Sequence, residues 1–178
     1  GKQLLIAGLT GPSTSTSPYL TPMADGVNFT SILSAGEAIN GYKMAGVPDG
    51  MGAYDNNDGT FTVLINHELG STSGVTRAHG SVGAFMSKWI IKKSDLSVVS
   101  GQDLIKNLYL WTPTGYVISN ATTPNAKGAI NRFCSGDLAM QTAFYNPISG
   151  LGSKERLFLN GEEAGAEGRA FAHILTGS

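Results

Sequence analysis

The sequence predicts an all-β fold, and three observations predict it. Apolar and polar residues alternate in short runs, Gly and Asn cluster between those runs, and no stretch sustains a helical period. The 24 glycines, with abundant Ser, Thr and Asn, suit tight turns joining many strands. A chain of 178 residues is long enough for one domain with a real core.

Residues 10–26, TGPSTSTSPYLTPMADG, read as an extended Ser/Thr/Pro linker on the surface. The chain turns strand-like in VNFTSILSAG and YKMAG, which divides it into an N-terminal segment, 1–30, and a β domain, 31–178. The strongest strand is GTFTVLINHEL at 59–69, where Phe61, Val63 and Ile65 alternate with Thr60, Thr62 and Asn66. DNNDG just before it is a hairpin turn, because Asn, Asp and Gly tolerate positive φ. Further strands are expected at 84–93, 96–101, 107–112, 115–120, 155–162 and 169–177. The best helical candidate is GDLAMQTAFYN at 136–146. Short strands separated by Gly/Asn turns fit a sandwich, a barrel or a propeller. At roughly 40–50 residues per four-stranded blade, this length supplies about three to four blades of a partial propeller, as a fragment of a longer chain would. The sequence shows no clean internal repeat. The last strand, 169–177, is apolar enough to expect pairing on both edges, by a continuing chain or by another subunit.

Composition removes several classes of function. Net charge is −1 and the longest basic run is Lys92-Lys93, so no nucleic-acid partner is expected. No apolar run reaches the ~18 residues of a helical membrane span. Cys134 is the single cysteine, which excludes an internal disulfide framework. Charged residues make up only 14%, leaving an uncharged Ser/Thr/Gly surface of the kind common in secreted proteins. The start, GKQLLIAGLTGPSTST, is too short in its apolar part for an intact signal peptide and reads as a mature terminus left after one was removed.

Four polar groupings stand beside apolar strands. Asp49, Asp55 and Asp58 read as turn residues, and an EF-hand is rejected because Gly59 occupies the fifth loop position counted from Asp55. Asn66-His67-Glu68 closes the strongest strand, and alternation puts Asn66 and Glu68 on one face, as oxygen ligands for a hard cation or as a solvated strand end. In Arg132-Phe133-Cys134-Ser135-Gly136-Asp137 the thiol is a buried hydrophobe, an iron ligand or a nucleophile needing one of His67, His79 or His173. Glu162, Glu163 and Glu167, with Arg169, form the fourth. Three of only 13 acids within six residues, behind an apolar strand, favour a cation site over ordinary surface.

The order PDG…YDNNDGTFTVLINHEL, RAHG…GAFMSKWII, NRFCSGD, ERLFLNGEE resembles the bacterial PhoX-type phosphatase family, and more closely its secreted relatives, over most of residues 31–178. The family's Thr-Pro-Trp-Gly run between the cysteine and the Glu pair is missing. The resemblance implies a secreted or periplasmic bacterial β-propeller with calcium and iron at its centre. It implies that Cys134 is an iron ligand, that Glu162 or Glu163 matches the metal-binding Glu pair, and that Glu68 is an acidic position near the metals.

Two functions follow as expectations. The first is metal-assisted hydrolysis of a small phosphoester, with Arg132 or Arg169 contacting phosphate. The alternative is a non-catalytic extracellular assembly module, calcium-bound or metal-free, self-associating through unpaired strand edges and a free strand such as Gln3–Leu9. A carbohydrate-binding sandwich, drawing on Trp89, Trp111 and the tyrosines, is a third and weaker reading.

Overall fold

A computed structural model describes residues 8–175. Gln3–Ala7 of the free strand and the end of the last one lie outside the described residues. Within them the chain is all-β: two 3₁₀ turns, Ala126–Gly128 and Gly165–Glu167, interrupt the strands and no α-helix occurs.

Short strands come first. β1 (Leu9–Thr10) runs parallel to β2 (Thr30–Ser31), and β3 (Ala38–Ile39) and β4 (Tyr42–Lys43) form a hairpin. The main sheet is an antiparallel meander of β5 (Pro48–Asp55), β6 (Thr60–His67), β7 (Phe85–Lys92) and β8 (Val98–Asp103). A separate hairpin follows, β9 (Leu108–Thr112) with β10 (Gly115–Ser119). In the second sheet the order is β11 (Phe133–Leu138), β14 (Leu157–Glu162), β15 (Ala170–Ile174), with the small hairpin β12 (Tyr145–Asn146) and β13 (Leu151–Gly152) inserted. None of these sheets closes on itself.

The central strands β6 and β7 bury both faces. Leu64 and Met86 point into one core with Ile130, Phe133 and Phe158, while Ile65, Trp89 and Ile91 point into a second with Met44 and Val98. Side chains alternate across a strand, so neighbouring residues serve opposite cores. Each fully buried phenylalanine is worth roughly 1.5–3 kcal/mol over an exposed one.

The DNNDG turn forms as its residues require. Asn57 and Gly59 take φ of 59° and 87°, and Asp55 and Asp58 accept the backbone N–H groups of Asn57 and Thr60. Asp49 is exposed on β5. Beyond Thr10 of β1, residues 11–26 carry no regular structure but are tied down. Val98 N–H donates to Ser13 Oγ, and the Glu37 carboxylate accepts from Thr14 Oγ1, from Ser15 N–H and Oγ, and from Ser34 N–H.

Two expectations are corrected. The helical candidate 136–146 is no helix: Gly136–Leu138 belongs to β11, a turn follows, and Tyr145–Asn146 is β12. Asp137 and Leu138 pair with Leu159 and Phe158, so sheet pairing overrides the local pattern. Asp49, which reads as a turn residue, instead lies inside β5, an eight-residue edge strand over 48–55. Gly50 and Gly52 make that edge passable. A Cβ at Gly52 would stand 2.5 Å from Leu138 Cβ, and one at Gly50 would stand 2.6 Å from Gly136 N. Side-chain-free positions therefore let β11 cross close over β5.

Candidate metal centre

Glu68, Cys134 and Glu163 come from three separated stretches, yet one ligand atom of each lies within 4.8 Å of the others. Their convergence is built by the backbone. At the end of β6, Glu68 N–H donates to Val47 O and Leu69 N–H turns back to His67 O, each at 2.9 Å. Arg132 then clasps both sides: its N–H donates to Leu69 O and its carbonyl accepts from Glu163 N–H, again at 2.9 Å each. The clasp needs Arg132 at φ 43°, a left-handed conformation that non-glycine residues seldom adopt. Asn131 reinforces it, accepting from Ser71 N–H through Oδ1 and donating through Nδ2 to Glu163 O at 2.6 Å.

Cys134 is aimed by a β-bulge. Phe133 pairs with Glu162 and Gly136 with Asn160, so Cys134 and Ser135 together face Gly161. An extra residue of this kind re-aims the side chains around it. Beneath the bulge runs a buried polar chain. His173 Nε2 donates to Asn160 Oδ1 at 2.9 Å, Asn160 Nδ2 to Asn66 Oδ1 at 3.0 Å, and Asn66 Nδ2 to Ser135 O at 2.9 Å. The direction follows from the amides: with Asn160 Nδ2 spent on Asn66, its oxygen is left to accept. Burial holds the His173 pKa down to about 4, so the imidazole is neutral at pH 7.

Cys134 Sγ lies 3.7 Å from Glu163 Oε2. Glu68 and Cys134 are half-buried and Glu163 is exposed, so the trio faces outward on one side. Two carboxylates and a thiol this close repel once ionised, unless a cation joins them. The donor set mixes a soft sulfur with hard oxygens. That suits iron or zinc better than calcium, which prefers oxygen ligands only. Three protein ligands would leave further coordination positions open, as catalytic metal sites do.

Glu162 stands outside the trio. Arg169 donates to both its oxygens, from Nε at 2.6 Å and Nη2 at 2.9 Å, and Asn131 N–H adds a third bond at 2.8 Å. Burial pushes this carboxyl up, but those donors more than offset it and hold it below the usual range. Arg169 Nη1 is spent on Lys127 O. The exposed Arg132 side chain makes no ion pair among the described residues. Glu167 is exposed in the second 3₁₀ turn.

Asn66 is fully buried and holds the bulge, its amide spent on Ser135 and Asn160. His67 and His79, unlike His173, are engaged elsewhere. His67 Nε2 bonds Ser87 Oγ while its ring stacks on Phe85, and His79 Nε2 bonds Gly128 O. Asn131 and Asn160 had no role in the sequence-based expectations. The one signal for Asn160 was an amide inside the apolar run LFLNGE. Comparison with protein-family models, with curated proteins and with solved structures returns no match.

Proposed function

We propose that this chain is a metal-binding β protein that hydrolyses small phosphoesters, with Glu68, Cys134 and Glu163 as its ligands. The carrying observation is the meeting of those ligand atoms within 4.8 Å, held by the Arg132 clasp and the Cys134 bulge. A secreted, propeller-type protein of the kind the PhoX-type resemblance implies is part of the same proposal. The β5–β8 meander supports it, having the strand count and antiparallel order of a propeller blade.

A bound cation would neutralise phosphoryl oxygens and lower the pKa of a water. The chain's own residues do the rest. Cys134 and the two carboxylates supply the ligands, and Asn66 fixes the bulge that aims the thiol. Arg132, exposed and two residues from Cys134, is the phosphate contact, whereas Arg169 holds Glu162 and so positions the turn carrying Glu163. Iron, of the two ions the resemblance implies, matches the thiol; calcium would be limited to the carboxylates.

The assembly-module reading remains the second, favoured by strands such as β15 that are paired on one side only among the described residues.

The test pairs elemental analysis with phosphate release from p-nitrophenyl phosphate. Iron or zinc near one equivalent is expected in the purified protein, falling sharply in Cys134→Ala and Glu163→Gln. Phosphate release is expected to vanish in both variants and after chelation. A metal-free protein would remove the ligand assignment. A metal-loaded protein without phosphate release would leave the metal and remove the hydrolase, in favour of the assembly module.

A further inference from the structure

On the side of the molecule where β9 and β15 lie, a cleft of about 860 Å³ opens. It is lined by residues 104–111 on one wall and by 169–174 on the other, with Tyr116 and Lys127. Both walls are consecutive runs, not every second residue. Leu108–Trp111 of β9 and Ala170–Ile174 of β15 make up the strand part of these walls, and since side chains alternate along a strand, a consecutive run there means that the strand presents its edge to the cleft. Among the described residues, β9 pairs only with β10 and β15 only with β14. Two open main-chain edges therefore border one groove.

The lining is chemically one-sided. Lys106, Lys127 and Arg169 contribute to it and no Asp or Glu does, although acids outnumber Lys and Arg in the chain by 13 to 12. Arg169 is already paired with Glu162, but Lys106 and Lys127 are exposed. The rim is aromatic. Tyr109, Trp111 and Tyr116 are 63%, 69% and 68% exposed, and Trp111 meets Tyr116 edge to face at 5.2 Å. Trp89, by contrast, is core at 1% exposure. Large aromatics left in water beside a groove favour an occupant that covers them.

We propose that this cleft binds an extended acidic polypeptide segment by strand addition between β9 and β15. The open edges supply main-chain hydrogen bonds, the aromatic rim covers alternate apolar side chains, and Lys106 and Lys127 select acidic ones. Strand edges favour a peptide over a glycan, since a sugar chain cannot use backbone N–H and C=O groups at strand spacing. The proposal is independent of the metal site.

The test is fluorescence anisotropy on the full chain with a labelled octapeptide of alternating Glu and Val. Saturable binding is expected, unchanged by chelation. It should weaken about tenfold or more when Lys replaces Glu in the peptide, and again in a Lys106→Glu/Lys127→Glu variant whose circular dichroism is unaltered. N-methylation of alternate peptide amides should abolish binding, because it removes the donors that strand pairing requires. The proposal is overturned by absent binding, by equal affinity for the N-methylated or basic peptide, or by an unaffected double variant. Saturable binding of an oligouronate in place of the peptide would overturn it too and assign the cleft to a glycan.

Discussion

Arg132 acts through its backbone at the ligand trio and, in the proposed hydrolysis, through its side chain; substitution separates the two. Its N–H and C=O tie Leu69 to Glu163, and its φ of 43° is a conformation glycine adopts freely. Arg132→Gly keeps both main-chain bonds and relieves a left-handed strain of about 1 kcal/mol, offset by the greater freedom of an unfolded glycine. The expected result is a melting temperature within a few degrees of the parent and full metal loading, with phosphate release strongly reduced. Arg132→Pro is the counter-test. It deletes the N–H bonded to Leu69 O and forbids positive φ, so metal loading should fail. Equal metal content in the glycine and proline variants would dismiss the clasp. Asn66 is a purely internal case: Asn66→Leu strands Asn160 Nδ2 and Ser135 O without a partner. Asn160 is buried, and its orphaned amide costs about 1–3 kcal/mol, which a urea titration would resolve.

The bulge on β11 and the crossing of β11 over β5 decide where the thiol goes. A Cβ at Gly50 would stand 2.7 Å from the Cys134 carbonyl and 2.6 Å from Gly136 N, both backbone atoms that cannot swing aside. Gly50→Ala should therefore push the bulge outward, destabilise by about 1–3 kcal/mol, and lower metal content. Gly46→Ala is the control, because nothing lies within 4 Å of its added carbon. Identical melting and metal content in the two variants would contradict the close crossing. The same region was least legible in the sequence. Strands with an apolar run, such as 59–69 and 84–93, coincide to within a residue or two with β6 and β7, since burial writes itself into their side chains. β5 carries almost no such signature: Pro48, Asp49, Met51, Ala53 and Asp55 are exposed, and its inner positions include two glycines. What glycine contributes there is room, and room leaves no hydrophobic pattern. The bulge was hidden for a related reason, since it exists only through the register of β11 against β14. The cluster itself was half legible. Strand alternation, the scarcity of acids and the family resemblance single out Glu68, Cys134 and the pair Glu162-Glu163, but nothing local distinguishes Glu163 from Glu162, whose partner Arg169 lies seven residues on across a turn.

Taken as a whole, the molecule carries its charge changes in a definite order as pH falls. His67 and His173 are buried, one stacked on Phe85 at the end of β6 and one beneath the bulge, and burial lowers each pKa from 6.5 to about 4. The folded state thus resists protons that the unfolded chain binds at about pH 6.5, so stability rises with pH across that window. The stabilisation is fully present above about pH 6.5 and disappears as pH drops towards 4, by an amount on the order of 3 kcal/mol per histidine. Carboxylates act later and further down. Glu37, which accepts three hydrogen bonds from Thr14 and Ser15 and one from Ser34, is held at about 2, below its ordinary 4.5. Its contribution is therefore intact above pH 4.5 and vanishes as pH falls towards 2, which loosens its hold on Thr14 and Ser15 after the histidines have acted. Urea titrations at half-unit intervals from pH 7.5 to 4.5 should show a level midpoint down to about pH 6.5 and a falling one below it. His173→Gln keeps an amide donor for Asn160 Oδ1 but has nothing to titrate, so its slope should be visibly shallower while its midpoint at pH 5 approaches or exceeds the parent's. If the midpoint stays level between pH 6.5 and 4.5, or if the glutamine variant retains the parent's full slope, His173 is not the buried neutral donor that holds Asn160, Asn66 and the thiol-bearing bulge in place.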